Sequence, residues 1–242
     1  MIFVKPTFKV FIIFWVIADL ILMIGILYPY QVKNVKEAYF EDTKLMKVEE
    51  TTTYHLFNPT TETNKVFIFY PGTLVAPEAY VPLCRQIADH NIKVYLIKMP
   101  WRLAFTGYNL PKDLNLFSDT TKTYVLSGHS QGAKMAAQFV LENPTLIDKL
   151  VLIGSIHPQD ISLASIHIPV LKIYGSNDGI AAEKSIVKNK EKLPLETTYI
   201  RLQGANHSQF GYYGSQLGDN DPGISREVQQ AETLKHILKF IN

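Results

Sequence analysis

The sequence contains a single cysteine, Cys84, and no cysteine or histidine pairs at the spacing of a structural metal site. A disulfide within the chain is therefore excluded, and neither a metal nor an organic cofactor is predicted. Long basic runs are also absent, since no run of five or more basic residues occurs, and the formal net charge is only +2. A nucleic-acid partner needs a far more basic surface, so none is expected.

Internal repeats and low-complexity segments are absent from the sequence as well. Hydrophobic residues make up 47% of the 242 residues, and charged residues make up 19%. A chain of that length and composition can bury a substantial core within a single domain. Nothing in the composition indicates an oligomeric state.

One long apolar run lies near the start of the chain, over residues 10–27, and Asp19 is its only charged residue. A helix of this length spans about 27 Å, close to the hydrocarbon thickness of a bilayer. On an insertion scale its apolar side chains contribute about −6 kcal/mol, whereas a central Asp costs about +3 kcal/mol. The run therefore predicts a single-pass membrane anchor over residues 1–30, followed by a polar stalk over residues 31–50.

Two other interpretations of the apolar run stay open. A cleaved signal peptide needs small residues at its cleavage site, and Tyr28-Pro29-Tyr30-Gln31 has none. A buried core helix is seldom apolar on all of its faces. Lysines lie on both sides of the run, and the short basic N-terminus favours a globular domain outside the cytoplasm.

Strand-like apolar runs alternate with helical patterns over residues 51–242. The predicted strands are 66–70, 92–97, 123–127, 149–153, 170–174 and 197–202, and the predicted helices are 77–89, 131–142, 181–192 and 225–240. This alternation predicts an α/β domain whose mostly parallel central sheet is covered by helices on both faces. Residues 51–57 are expected to add an antiparallel edge strand. In such sheets, ligands bind beyond the carboxyl ends of the strands.

A candidate nucleophile lies in Gly128-His129-Ser130-Gln131-Gly132, which fits the pattern G-x-S-x-G. The pattern alone occurs often by chance, but here it joins a predicted strand to a predicted helix. A sharp strand-to-helix turn exposes the serine above the sheet, and its tight backbone requires small neighbours. Ser130 is therefore the predicted nucleophile, and the alternative is a serine that only caps the helix.

A serine hydroxyl needs a base, and the candidates downstream of Ser130 are four histidines: His157, His167, His207 and His236. His207 lies just past the predicted strand 197–202, where a base on a strand-end loop is expected. His236 falls inside a helix, and His167 precedes a strand. His157 follows a strand, but it comes before any acid candidate at a strand end. His207 is therefore the predicted base.

The base needs an orienting acid, and Asp178 follows the predicted strand 170–174, between Ser130 and His207. That position agrees with the chain order of nucleophile, acid and base that accompanies this kind of turn. Asp178 is also in a position to cap the next helix, which is its simpler structural role. Asp160 and Glu183 are rival acids, but neither falls on a strand-end loop.

Two backbone N–H groups are needed to stabilise a developing oxyanion. Gln131, the residue after the nucleophile, is predicted to supply one of them. The other is expected from the loop after strand 66–70, where Gly72 permits a turn and Thr73 is the predicted donor.

Several sequence blocks together carry a family resemblance: Tyr70-Pro71-Gly72, Pro77-Glu78-Ala79-Tyr80, Met99-Pro100, Leu103-Ala104-Phe105, Gly128 to Gly132, Asn206 to Gly211, and Tyr213-Gly214. Over residues 50–242 the chain resembles the α/β-hydrolase superfamily, and within it the alpha/beta hydrolase fold-5 type. The resemblance implies a triad of Ser130, Asp178 and His207. The type is loosely similar to dienelactone hydrolases, which use a cysteine nucleophile, so their substrate does not carry over.

These residues predict a serine hydrolase that cleaves a carboxylic ester, thioester or amide through an acyl-enzyme. The expected substrate is a small-molecule or lipid-like acyl compound. Acyl transfer to an acceptor other than water would use the same residues. A non-catalytic, membrane-anchored binding protein on a hydrolase fold is the alternative from a different functional class.

Overall fold

The computed structural model describes residues 6–242, with side chains included except at residues 6–8, 10, 25–27 and 29. Eight strands form one twisted sheet in the order β1-β2-β4-β3-β5-β6-β7-β8. Strand β2 pairs antiparallel with β1 and with β4, whereas every pair from β4 to β8 is parallel. The strands are β1 (Met46–Glu50), β2 (Tyr54–Pro59), β3 (Lys65–Tyr70), β4 (Lys93–Ile97), β5 (Thr123–His129), β6 (Lys149–Ile153), β7 (Val170–Gly175) and β8 (Thr198–Leu202).

Helices cover both faces of the sheet. The helices of the described chain are α1 (Pro6–Leu27), whose described large apolar side chains are exposed, α2 (Val81–Ala88), α3 (Ala104–Gly107), α4 (Leu110–Asp113), α5 (Gln131–Glu142), α6 (Glu183–Lys188) and α7 (Arg226–Ile241). Short 3-10 turns lie at Tyr28–Tyr30, Glu37–Phe40, Pro77–Tyr80, Pro100–Arg102, Lys190–Lys192 and Ser208–Phe210.

Alternation along the strands divides the core into two layers. In β3, Phe67 and Phe69 face the layer that includes α2 and α7, whereas Ile68 and Tyr70 face the layer with α5. Because both faces of a parallel strand are buried, such strands are almost continuously apolar. This continuity explains why the parallel strands were predictable from sequence, and the observed mostly parallel sheet confirms that prediction.

The antiparallel end of the sheet differs from the prediction for residues 51–57. The strand there is β2, and it lies inside the sheet because β1 pairs along its outer edge. Strand β1 buries only Met46 completely and carries Lys47, Glu49 and Glu50. An edge strand exposed to solvent has this polar composition, so residues 31–50 resembled a stalk. The predicted domain boundaries stay a prediction.

The predicted membrane anchor was wrong, and with it the transmembrane part of the fold class, the membrane partner at residues 10–27 and the localisation. In the part of the chain that the structure describes, no helix is both long enough and apolar enough for a membrane span. Helix α1 includes Lys9 and Asp19, and a charged side chain in a span costs about 3 kcal/mol. Residues 1–5 of the predicted anchor lie outside the described residues.

Lys172, in strand β7, is buried within the domain although it carries an ionisable amine. Its side chain is only 1% exposed, and Nζ donates a hydrogen bond to the carbonyl of His157. Burial lowers the pKa of this lysine from 10.5 to about 7. The folded domain therefore favours the neutral amine, because a buried charge without a counter-ion is costly.

Replacing Lys172 is expected to change how the stability depends on pH. Between about pH 7 and 10 the unfolded chain binds more protons than the folded chain, so Lys172 makes stability rise with pH. One proton contributes at most about 1.4 kcal/mol per pH unit. Lys172→Met should flatten the rise in unfolding free energy between pH 7 and 9, as measured by urea denaturation. Lys188→Met, at an exposed lysine, should keep the wild-type slope; equal slopes for Lys172→Met and wild type would contradict the prediction.

Candidate active site

Ser130 occupies a strained turn between β5 and α5. Its backbone has φ 55° and ψ −119°, in the left-handed half of conformational space that side chains other than glycine rarely adopt. Its N–H donates to the carbonyl of Ile153 (3.0 Å), and its own carbonyl accepts from the N–H of Lys134 (3.1 Å). Backbone strain of this kind persists only where the surrounding structure enforces it, and it is concentrated at functional sites.

The two glycines that flank this turn are required by close backbone contacts. A Cβ atom on Gly132 would lie 2.2 Å from the carbonyl oxygen of Tyr70 and 2.4 Å from that of Pro71. A Cβ atom on Gly128 would lie 2.4 Å from the carbonyl carbon of Gly132. No side chain fits in either space, so the pattern G-x-S-x-G is explained here by packing between β5, α5 and the end of β3.

The Ser130 hydroxyl does not cap helix α5. The side chain accepts no hydrogen bond from a helix N–H group, so the capping role considered from the sequence is not seen. Ser130 is half-buried and lines a cavity of about 230 Å³ at the carboxyl end of the sheet. The hydroxyl is thus presented to a space that a ligand can enter.

His207 and Asp178 form a buried pair. Asp178 follows β7, His207 follows β8, and Nδ1 of His207 lies 2.9 Å from Oδ2 of Asp178. Both side chains are fully buried. Nε2 of His207 has no hydrogen-bond partner among the described residues. A carboxylate on Nδ1 orients the ring and leaves Nε2 available to accept a proton.

Asp178 does not cap helix α6, whose N-cap residue Ala182 receives no side-chain hydrogen bond, but it does hold its own loop. Its other oxygen, Oδ1, accepts hydrogen bonds from the N–H groups of Ile180 (2.9 Å) and Ala181 (2.6 Å). The two roles are compatible because each carboxylate oxygen serves one of them. The backbone bonds hold the carboxylate rigidly, so Oδ2 faces the imidazole in a defined position.

The rival acids and bases lie elsewhere, and both rival acids have their own partners. Asp160 pairs with Lys134 (2.6 Å), and Glu183 pairs with Arg201 (2.9 Å). His167 is exposed, and His236 lies on α7 beside Glu232 (3.7 Å). His157 lines a separate small pocket with Lys134 and Asp160, and burial lowers the pKa of its side chain to about 4.

The loop after β3 supplies the other side of the cavity. Thr73 and Gln131 both line it together with Ser130, and neither N–H donates a hydrogen bond within the described part of the chain. The loop is held by a bond from the N–H of Leu74 to the carbonyl of Arg102 (2.7 Å). Leu74 has a φ of 66°, which is another strained position beside the cavity.

His129 and Tyr80 support this loop, and neither was predicted from the sequence. The Tyr80 hydroxyl accepts from the N–H of Gly72 (3.2 Å) and lies 2.8 Å from Nδ1 of His129. The ring of His129 is centred 4.5 Å from the ring of His207. Burial, and then the neighbouring His207, hold the pKa of His129 well below its usual range. A neutral His129 therefore links the loop, the serine turn and the buried His207.

Asp219 connects the two loops that carry Asp178 and His207. One of its oxygens accepts from the N–H groups of Gly179 (3.2 Å) and His207 (3.1 Å). The other accepts from the N–H (2.8 Å) and the hydroxyl (2.7 Å) of Ser208. Asp219 lies in a polar stretch typical of a surface loop, and its sequence context contains no signal for this role.

Aromatic side chains make up little of the cavity wall among the described residues. Trp101 and Phe105 are exposed, and Tyr213 is buried in the core. Among the described residues that line the cavity, the single aromatic ring apart from His129 belongs to Tyr30.

A possible metal site lies outside the cavity. The side chains of Glu50, His55 and Glu78 offer ligand atoms within 4.8 Å of one another. His55 Nε2 is 3.3 Å from Glu78 Oε1, and Lys98 donates to Glu50 at 2.5 Å. The lysine ammonium already offsets part of the carboxylate charge, so the group is explained as an ion-pair network at the antiparallel end of the sheet.

Comparison with known proteins comes from a family model and from solved structures. A model described as an alpha/beta hydrolase family matches residues 66–231. This range includes all five predicted site residues: Thr73, Ser130, Gln131, Asp178 and His207. A search of curated proteins finds no match to the chain.

Solved structures with a similar fold include TT1662 from Thermus thermophilus, which is 12% identical, with a TM-score of 0.61 over 81% of this chain and 98% of its own. The carboxylesterase CesB (YbfK) from Bacillus subtilis is 13% identical, with a TM-score of 0.57 over 85% of this chain and 94% of its own. Likeness at these identities shows the fold alone.

Removing the Asp219 carboxylate is expected to destabilise the site. Asp219→Ala leaves the N–H groups of His207 and Ser208 without this acceptor, and an unsatisfied buried donor costs about 1–3 kcal/mol. The unfolding free energy from urea denaturation should fall by about that amount. Asp221→Ala, at an exposed carboxylate in the same loop, should change it by less than about 0.5 kcal/mol. Equal effects of the two substitutions would argue against the role assigned to Asp219.

Proposed function

Because the chain belongs to the alpha/beta hydrolase family, we propose that it is a serine hydrolase that cleaves a carboxylic ester through an acyl-enzyme on Ser130. Membership confirms the superfamily predicted from the sequence. The observation that carries the proposal is the buried pair of Asp178 and His207. Nε2 of His207 has no hydrogen-bond partner among the described residues, and the His207 ring is centred 4.5 Å from the ring of His129, the residue before Ser130.

In the first half of the proposed reaction, Ser130 Oγ attacks the carbonyl carbon of the ester while its proton passes to Nε2 of His207. Asp178 stabilises the imidazolium that forms and keeps the ring oriented through the 2.9 Å contact to Nδ1. The tetrahedral intermediate then expels the alcohol, which takes the proton from His207. The acyl group stays on Ser130 as an ester.

In the second half, a water molecule replaces the alcohol and the same steps run in reverse order. His207 takes a proton from water, the hydroxide attacks the acyl carbon, and the carboxylic acid leaves as Oγ regains its proton. The negative oxygen of both tetrahedral intermediates needs donors. The N–H groups of Thr73 and Gln131 are our candidates, because both line the cavity and neither has a partner within the described residues.

The choice of an ester over an amide or a thioester has two supports. The fold is similar to that of the carboxylesterase CesB, which favours an ester over both alternatives, and an alkoxide is a better leaving group than the nitrogen of an amide. No metal enters the proposed steps, since nucleophile, base and oxyanion donors are all groups of the chain itself.

A fluorophosphonate probe tests the proposal directly, because it reacts only with a serine that has been activated by a base. The wild-type chain should be labelled at one site, and Ser130→Ala should not be labelled. Asp178→Asn should lower the kcat for a p-nitrophenyl ester by roughly 10⁴-fold, since the imidazole loses its orientation.

Ser118→Ala, at an exposed serine, serves as the matched control and should be labelled like the wild type. Equal labelling of wild type and Ser130→Ala would exclude Ser130 as the nucleophile. A folded wild-type chain without any labelling would refute the proposed activity as a whole.

A further inference from the structure

The segment that follows α1 is attached to the domain beside the candidate active site. The N–H of Lys33 donates to the carbonyl of Tyr212 (2.7 Å), and Val32 forms an antiparallel bridge with Tyr213. The ring of Tyr30 is nearly parallel to that of Tyr213, with 6.4 Å between centroids and 10° between planes. Since Tyr213 is fully buried, this contact attaches the segment to the core.

The same segment also contacts the loop that carries Thr73. The N–H of Ala76 donates to the carbonyl of Tyr30 (3.0 Å). On the other side, the Arg102 guanidinium donates to the side chain of Gln31 (3.1 Å), and the Arg102 carbonyl accepts from Leu74. The loop is thus held between the N-terminal segment and the turn at Arg102, which limits how far its end at Ala76 can move.

Tyr30 forms part of the cavity wall. It lines the same space of about 230 Å³ as Ser130 and Thr73. It lies outside residues 66–231, the part of the chain that matches the family model. Burial raises the pKa of the Tyr30 hydroxyl, so the side chain stays uncharged at neutral pH.

The remaining walls favour a hydrocarbon chain of limited length. Apart from the catalytic candidates, the lining is contributed mainly by Leu74, Val75 and Ile180, with Gln216 as a polar group. The cavity is smaller than the roughly 300–1,000 Å³ that is usual for drug-sized ligands. A butanoyl group is therefore a closer match to this space than an octanoyl group, whose chain is twice as long.

We propose that Tyr30 determines the acyl specificity of the hydrolase, because its ring closes one side of the cavity and restricts the substrate to short-chain acyl esters. The inference rests on the proposed function and extends it to a substrate class. The position of Tyr30 is fixed at two points, because its backbone carbonyl accepts a hydrogen bond from the N–H of Ala76 and its ring packs on Tyr213. The ring therefore limits the length of the acyl chain.

The test uses the full chain and p-nitrophenyl esters from acetate to octanoate. The wild type should have a higher kcat/KM for butanoate than for octanoate. Tyr30→Ala should raise the octanoate-to-butanoate ratio of kcat/KM by about tenfold or more, the discrimination that even one methylene can give in an apolar pocket. Tyr30→Trp should lower the ratio, and Tyr30→Phe should keep it because the ring shape is retained.

Tyr28→Ala is the matched control, since Tyr28 lies in the same turn but is 64% exposed. It should leave the ratio unchanged. Fluorophosphonate labelling of each variant reports whether the site is folded. If Tyr30→Ala does not fold, the test uses Tyr30→Trp instead, which should lower the octanoate-to-butanoate ratio of kcat/KM. Labelled Tyr30 variants with the wild-type ratio would overturn the inference.

A second series, acetate esters of progressively longer alcohols, separates the acyl group from the leaving group. If Tyr30→Ala improves only this series, the wall faces the alcohol and the assignment to the acyl group is wrong. A wild-type chain that prefers octanoate overturns the inference while leaving the proposed function intact. A folded wild-type chain that is neither labelled nor active refutes the proposed function itself.

Discussion

The contact between Gly132 and the carbonyls of Tyr70 and Pro71 is the constraint on which the site depends. A Cβ atom would not fit there. Because glycine has none, α5 can begin directly against the end of β3. The chain then has only the short turn at Ser130 in which to leave β5, and this residue takes up the left-handed conformation. The serine hydroxyl is raised above the sheet as a result, and the strain is offset by the packing of both core layers.

Parallel strands bring the remaining groups to the same edge. Asp178 follows β7 and His207 follows β8, so both lie at carboxyl ends on the same side of the sheet as Ser130. The strands determine only the approximate positions of these three side chains. The final geometry depends on short polar contacts, in which Asp219 holds both loops and Tyr80 holds the loop after β3 through its contacts with Gly72 and His129.

Sequence patterns were informative where a local cause dominates. Continuous apolar runs predicted the parallel strands. The chain order of Ser130, Asp178 and His207 made them the candidates for nucleophile, acid and base. The same local approach was wrong for residues 10–27, where the apolar run was given more weight than the charges in α1. It also missed β1, whose polar residues are stabilised by pairing with β2, a contact that no pattern within five residues can reveal.

The sequence by itself determined the family, the alternation of strands and helices, and the candidates Ser130, Asp178 and His207, because periodicity and chain order are local properties. Only the tertiary structure decided that Asp178 and His207 are 2.9 Å apart, that Asp219 joins their loops, and that Tyr30 lines the cavity. Tyr30 is a hundred positions before Ser130. Contacts across such distances arise from the way the sheet folds the chain, and they leave no regular spacing in the sequence.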